Sequence, residues 1–141
     1  MAFDGSPLAE RALRHALAIA PDARITVLDV IDLFEPDPGP PTGESDYEPL
    51  MGSEAWYHRA EEASERRLAE ARTIAEDADR SVTTVAEIGG PERVIVDYAE
   101  EEPVDHVVLG AHGRPDADRP VFGSVAETVA RRATVPVTIV R

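Results

Sequence analysis

Apolar positions along the chain recur in blocks whose spacing switches between two and about 3.6 residues, the periods of strands and helices in turn. Leu8 to Ala20 carries Leu13 and Leu17 four apart among alanines, a helix with a core stripe. Ser6 stands before it as a cap, and Pro7 suits its first position. Arg24 to Asp32 alternates as a strand, with Thr26, Leu28 and Val30 on one face and Ile25, Val27, Asp29 and Ile31 on the other. Asp29 breaks the apolar pattern. A lone carboxylate inside a covered sheet is costly, so it is expected near the strand's end, close to solvent. Ser53 to Ala78 reads as a long helix, with Tyr57, Ala60, Ser64, Leu68, Ala71, Ala75 and Ala78 at helical spacing. Val82 to Ile88 is a strand, Gly89-Gly90-Pro91 a turn, and Val94, Ile95, Tyr98 and Ala99 mark the inner face of a third helix. Val104 to Leu109 is again a strand. Ser124 to Arg132 is a short helix with Val125 and Val129 inward, and Val135 to Val140 is a last strand. Met1-Ala2-Phe3 adds the tail end of a first strand before the Asp4-Gly5-Ser6-Pro7 turn. This alternation predicts an α/β fold: a five-stranded parallel, doubly wound sheet with helices on both faces.

One stretch does not fit that rhythm. Residues 33–52 hold Pro36, Pro38, Pro40, Pro41 and Pro49 with Gly39, Gly43 and Gly52, a composition expected to form a long mobile loop. It is either a lid or a spacer within a single domain covering 1–141, since 141 residues suffice for one core and not comfortably for two. Cysteine is absent, which excludes a disulfide framework and thiolate metal sites. No apolar run is long enough to span a bilayer, and the start lacks the plan of a signal peptide, so a cytoplasmic protein with no membrane partner is expected.

Charge narrows the partners. The chain sets 28 acidic residues against 14 basic ones, all arginine, for a formal net charge of −14. Such a surface repels nucleic acid phosphates, so no DNA or RNA partner is expected. Halophilic proteins use this pattern, and a halophilic source is one reading of it. Codon bias that replaces lysine by arginine, together with a solvated acidic face, is the other.

The candidate chemistry lies between Val107 and Val129. An apolar run, Val107-Val108-Leu109, ends in Gly110-Ala111-His112-Gly113, and nine residues later come Gly123-Ser124. Ser124 with Glu127 reads as a capping box, so the loop joins a strand end to a helix start. Glycines allow close backbone approach to a ligand, and first-turn N–H groups attract anions, which together suggest a phosphate cradle. Neither a Walker loop nor the dinucleotide fingerprint is present.

The spaced motif Gly110-x-x-Gly113, nine residues, Gly123-Ser124 resembles the ATP-binding signature of the universal stress protein family. Asp4-Gly5-Ser6-Pro7 and Val135-Pro136-Val137 resemble that family's two ends, so the likeness runs over nearly the whole chain. Ala111 departs from the Ser or Thr that relatives often carry, and the first strand is shorter than theirs. The resemblance implies strand order 3-2-1-4-5, with the binding crevice at the switch point between the first and fourth strands. It implies that Gly110, His112 and Gly113 line the phosphate and ribose side, while Gly123 and Ser124 donate to the terminal phosphates. Ala2 and Val30 would meet adenine, and Leu109 and Val125 would form apolar walls. Asp4 would lie near ribose and phosphates, with Mg2+ or Mn2+ accompanying ATP. Arg114 and Arg119, inside the loop, are candidates to neutralise phosphate.

Each of these residues also has a plainer reading: Asp4 as a turn former, Ser124 as a helix cap, His112 as a loop histidine without contacts. His15 and His58 are expected in solvent, and His106 is expected to be structural. The leading expectation is an ATP-binding homodimer, paired through its C-terminal strand, acting as a nucleotide-dependent regulator or stress-resilience factor. A final strand at a sheet edge leaves ladder groups unpaired unless a partner covers them. No strong enzyme is expected, because the loop offers no lysine and no clear base beyond Asp4 or His112. The rivals are a nucleotide-free dimeric interaction module of the same fold, and a nucleotidyl transferase or electron-transfer flavoprotein subunit.

Overall fold

Four parallel strands and four helices alternate in a computed structural model that describes residues 1–34, 49–113 and 122–141. The order is α1 (Pro7–Ile19), β1 (Thr26–Ile31), α2 (Glu54–Glu76), β2 (Thr83–Ile88), α3 (Pro91–Glu101), β3 (Val107–Gly110), α4 (Ser124–Arg132) and β4 (Val137–Val140). Most of the expected loop at 33–52 falls at residues 35–48, outside the described residues.

β1 and β2 pair in parallel from Thr26↔Thr83 to Ile31↔Ile88. β3 and β4 pair in parallel from Val107↔Val137 to Gly110↔Val140. These are two two-stranded sheets, and the Met1–Phe3 segment bonds to both. The Leu28 N–H donates to the Met1 carbonyl at 2.8 Å and the Phe3 N–H to the Leu28 carbonyl at 2.9 Å. On the other side, the Ala2 N–H donates to the Val108 carbonyl at 3.1 Å. The expected first strand is therefore reduced to a single parallel bridge, Ala2↔Leu28.

Alternation along β1 sorts the core. Val27 joins Leu13, Leu17, Leu68 and Ile74 in a cluster under α1 and α2. Its neighbour Leu28 joins Ile95, Ala99, Leu109 and Val129 under α3 and α4. Each side chain of this size contributes about 1.5–3 kcal/mol on burial, so the two clusters hold helices to both faces. The inner stripe of α2 is Ala60, Ala63, Ser64, Leu68, Ala71, Ile74 and Ala75. Two expected members leave it: Tyr57 is exposed on the first turn, and Ala78 lies beyond the helix end. Trp56 and Tyr57 instead meet edge to face at 5.2 Å. In α3 the buried residues are Ile95, Val96 and Ala99, with Val94 and Tyr98 half-buried beside them.

Candidate functional site

The Asp4 turn and the glycine loop meet at the C-terminal ends of the strands. The Ser6 N–H donates to Asp4 Oδ1 at 3.0 Å, closing a tight turn that needs Gly5 at φ +74°, a conformation that glycine adopts freely. Ser6 then caps α1, its Oγ accepting from the Ala9 N–H at 3.2 Å, with Pro7 in the first turn as expected. A Cβ on Gly113 would collide with the Asp4 carboxylate, so the missing side chain is what lets these distant segments touch.

The end of β3 is pinned from two directions. The Ala111 N–H donates to the Val140 carbonyl at 2.8 Å, and the Ala111 carbonyl accepts from the Gly123 N–H at 2.8 Å. This second bond brings the start of α4 back to the end of β3. Gly110 lies against the first turn of α1: a Cβ there would stand 3.0 Å from the carbonyl carbon of Leu8. Ala111 is fully buried.

Gly123, not Ser124, is the N-cap of α4, and no side chain caps this helix. The expected capping box does not form. The bond to Ala111 holds Gly123 in extended backbone at φ −72°, ψ 167°, so Ser124 already belongs to the helix. Glu127 pairs with Arg131 at 2.7 Å, one turn on. Gly123, Ser124, Val125 and Ala126 at the start of α4 line the crevice, and no side chain caps their N–H groups.

These elements line an open cleft of about 560 Å³. Ala2, Asp4, Val30, Leu109 and Gly110 line it from the strand ends, and His112, Gly113, Gly123, Ser124 and Val125 line it from the loop and α4. Every described residue that the resemblance assigns to the nucleotide crevice is among the lining. Arg114 and Arg119 lie outside the described residues. Val125, expected inward, is half-buried at the cavity wall, while Ala126 takes the buried position beside Val129.

Sequence reasoning missed Arg67 and misplaced Asp29. Asp29 is in the body of β1, not at a solvated end, and is 1% exposed. It is tolerated because Arg67 on α2 holds both oxygens, Nε to Oδ1 at 3.0 Å and Nη2 to Oδ2 at 2.8 Å. Both residues line the cavity, and the Arg67 stem passes beside Gly5. Two anomalies, an acid in a buried strand and an arginine one residue from the Leu68 stripe, were the available signal; each answers the other. Of the remaining histidines, His15 and His58 are in solvent as expected, and His106, expected to be structural, is exposed too. His106 Nε2 is 2.8 Å from Thr138 Oγ1, His58 is an exposed partner of Glu62, and His15 is exposed.

The likenesses of the whole chain agree with this architecture. It is 33% identical over 140 residues to universal stress protein MJ0531 of Methanocaldococcus jannaschii, covering 98% of this chain and 78% of that protein. It superposes on the universal stress protein UspA from Lactobacillus plantarum at a TM-score of 0.67, with 26% identity over 99% of this chain and 94% of that one. It also superposes on the universal stress protein from Archaeoglobus fulgidus in complex with dAMP, at a TM-score of 0.64 and 26% identity, over 99% and 94% of the two chains. With the family's sequence pattern matched across residues 1–141 and its glycine loop folded against the Asp4 turn, the chain belongs to the universal stress protein family.

Proposed function

We propose that the chain binds an adenine nucleotide, ATP foremost, in this cavity and acts as a nucleotide-dependent regulator or stress-resilience factor. The observation that carries the reading is the closure of Gly113 onto Asp4, which gathers residues more than a hundred positions apart around one space. The dAMP complex of the Archaeoglobus fulgidus relative supports the ligand class. In this reading Ala2, Val30, Leu109 and Val125 surround the base. Gly110, His112 and Gly113 lie along ribose and phosphates, while Gly123, Ser124 and the α4 N-terminus receive the terminal phosphates, with Arg114 alongside. Among the described residues no three potential metal ligands gather. An accompanying Mg2+ or Mn2+ would be held chiefly by the phosphates, with Asp4 beside them. Turnover is at most slow, for want of a positioned base and cation.

The same reading joins the two sheets through Met1–Phe3 as a fifth, central strand, in the order β2, β1, Met1–Phe3, β3, β4, and pairs two copies along β4 in the cytoplasm of a halophile. Mass spectrometry of the purified protein tests the ligand: retained adenine nucleotide, lost in Gly123→Val, is expected. An empty cavity with no titration heat would leave a nucleotide-free interaction module. Sedimentation in molar KCl tests the dimer, and a melting temperature indifferent to KCl would remove the halophilic reading.

A further inference from the structure

At the end of the sheet away from the glycine loop, the nitrogen of Met1 stands where a strand amide would stand. It donates to the Thr26 carbonyl at 3.0 Å, and two residues on the Phe3 N–H donates to the Leu28 carbonyl at 2.9 Å. As an ammonium it has three protons to donate, yet the Thr26 carbonyl is its one partner among the described residues. Burial lowers its pKa from 8.0 to about 6. An amide nitrogen has one proton and no charge, which is what this position satisfies. On the facing strand, the Val108 carbonyl accepts from the Ala2 N–H, while the Val107 N–H turns away to Pro136. By that alternation the Val108 N–H points to the position just ahead of Met1, where no described group accepts from it. An apolar cleft of about 200 Å³ begins there, lined by Ala16 and Ile19 of α1 on one face and by Ile95, Tyr98 and Ala99 of α3 on the other.

We infer that the Met1 nitrogen is acylated in the working protein: an acyl carbonyl on it accepts from the Val108 N–H, and the apolar group behind that carbonyl extends into the cleft between α1 and α3. Two sources supply this chemistry, a modifying acyl group or the peptide carbonyl of a residue ahead of Met1. For the first, the donor is an acyl thioester. The bond from nitrogen to the carbonyl carbon forms and the C–S bond breaks, while the ammonium gives up two protons, one to the departing thiolate and one to water. This happens on the unfolded chain, because folding buries the nitrogen. From either source, a neutral amide that continues the ladder replaces a buried charge with unanswered protons.

Mass spectrometry of the N-terminal peptides of the protein, purified from the organism that makes it, tests the inference. Met1 carrying an added acyl mass identifies the first source, and a peptide that reads through Met1 from earlier residues identifies the second. A free α-amine at Met1, or a chain from which Met1 has been cut away, overturns it. A second measurement uses the 141-residue chain released from a cleavable fusion with Met1 retained. The chain has no lysine, so an acetyl ester in urea has a single amine to modify. With that amine free, the folded state holds its proton less tightly than the unfolded state does. Stability is therefore full above pH 8.0 and falls as pH drops toward about 6, by about a hundredfold in the folding equilibrium. The acetylated chain lacks this loss, so in urea unfolding its advantage over the free chain should grow about a hundredfold between about pH 9 and about pH 5.5. An advantage that stays constant over that range, or an acetylated chain less stable than the free one at the upper end, overturns the inference.

Discussion

Replacing Arg67 by Met tests the ion pair through which the acid buried in β1 is held. The change keeps the apolar stem beside Gly5 and removes the guanidinium, so Asp29, 1% exposed in β1, loses both of its hydrogen bonds. Two charge-assisted bonds are worth about 1.5–3 kcal/mol each taken singly, and breaking a buried pair from one side costs about 3–5 kcal/mol. The side chain of Arg67 is 19% exposed, so water partly relieves the stranded carboxylate and the lower end applies, about 3 kcal/mol. For a domain of this size that is a fall of roughly 10 °C in Tm. Urea unfolding followed by circular dichroism measures it, with an unchanged m-value as the check that the same transition is compared. Asp29→Leu added to Arg67→Met should recover most of the loss, because an apolar pair of similar volume replaces the ionic one without desolvation. A loss below about 1 kcal/mol for Arg67→Met, or a double variant no more stable than the single one, would refute the account of why β1 tolerates an acid.

Three further outcomes follow from the local geometry. Ser6→Ala removes the cap of α1 and should cost about 1 kcal/mol in urea unfolding, whereas Ser124→Ala, which removes no cap, should change stability by less than about 0.5 kcal/mol and lower nucleotide retention. Gly110→Ala places a methyl 3.0 Å from the Leu8 carbonyl carbon and should cost about 1–3 kcal/mol, with faster amide exchange in the first turn of α1. The Tyr98 phenol is pushed above its ordinary value by burial, then by Glu102 and Glu87. The folded state therefore holds this proton more tightly than the unfolded one, so the contribution is present below pH 10 and lost as pH climbs through the folded value. A phenolate titration by ultraviolet absorbance, with Tyr98→Phe as the difference, should show a raised midpoint that falls in Glu102→Gln.

Much of the architecture was legible because it rests on local periodicity. The α4 span, the two faces of β1 and the strand end at Gly110 follow from side-chain spacing that each element imposes on itself. The grouping of Asp4 with Gly113 and Gly123 was legible for a different reason: the family resemblance implies a strand order whose switch point has both motifs at its edge. The errors share a cause. Ser124 reads as a cap from its neighbours, yet Gly123 takes that place because of a bond to Ala111, twelve residues away. Asp29 reads as solvated from its own strand, yet its partner is on another element, thirty-eight residues on.

The order of amino acids by itself determined which segments are strands and helices, which faces are apolar, and that a loop of spaced glycines follows the Val107-Val108-Leu109 run. Only the folded chain decided where each charge is answered: that Arg67 reaches Asp29, that Gly113 yields its side-chain space to Asp4, and that the first strand is a single bridge. Periodicity is a property of one element and can be read along it. Electrostatic pairing and close approach belong to two elements at once, and their partners are chosen by packing in three dimensions.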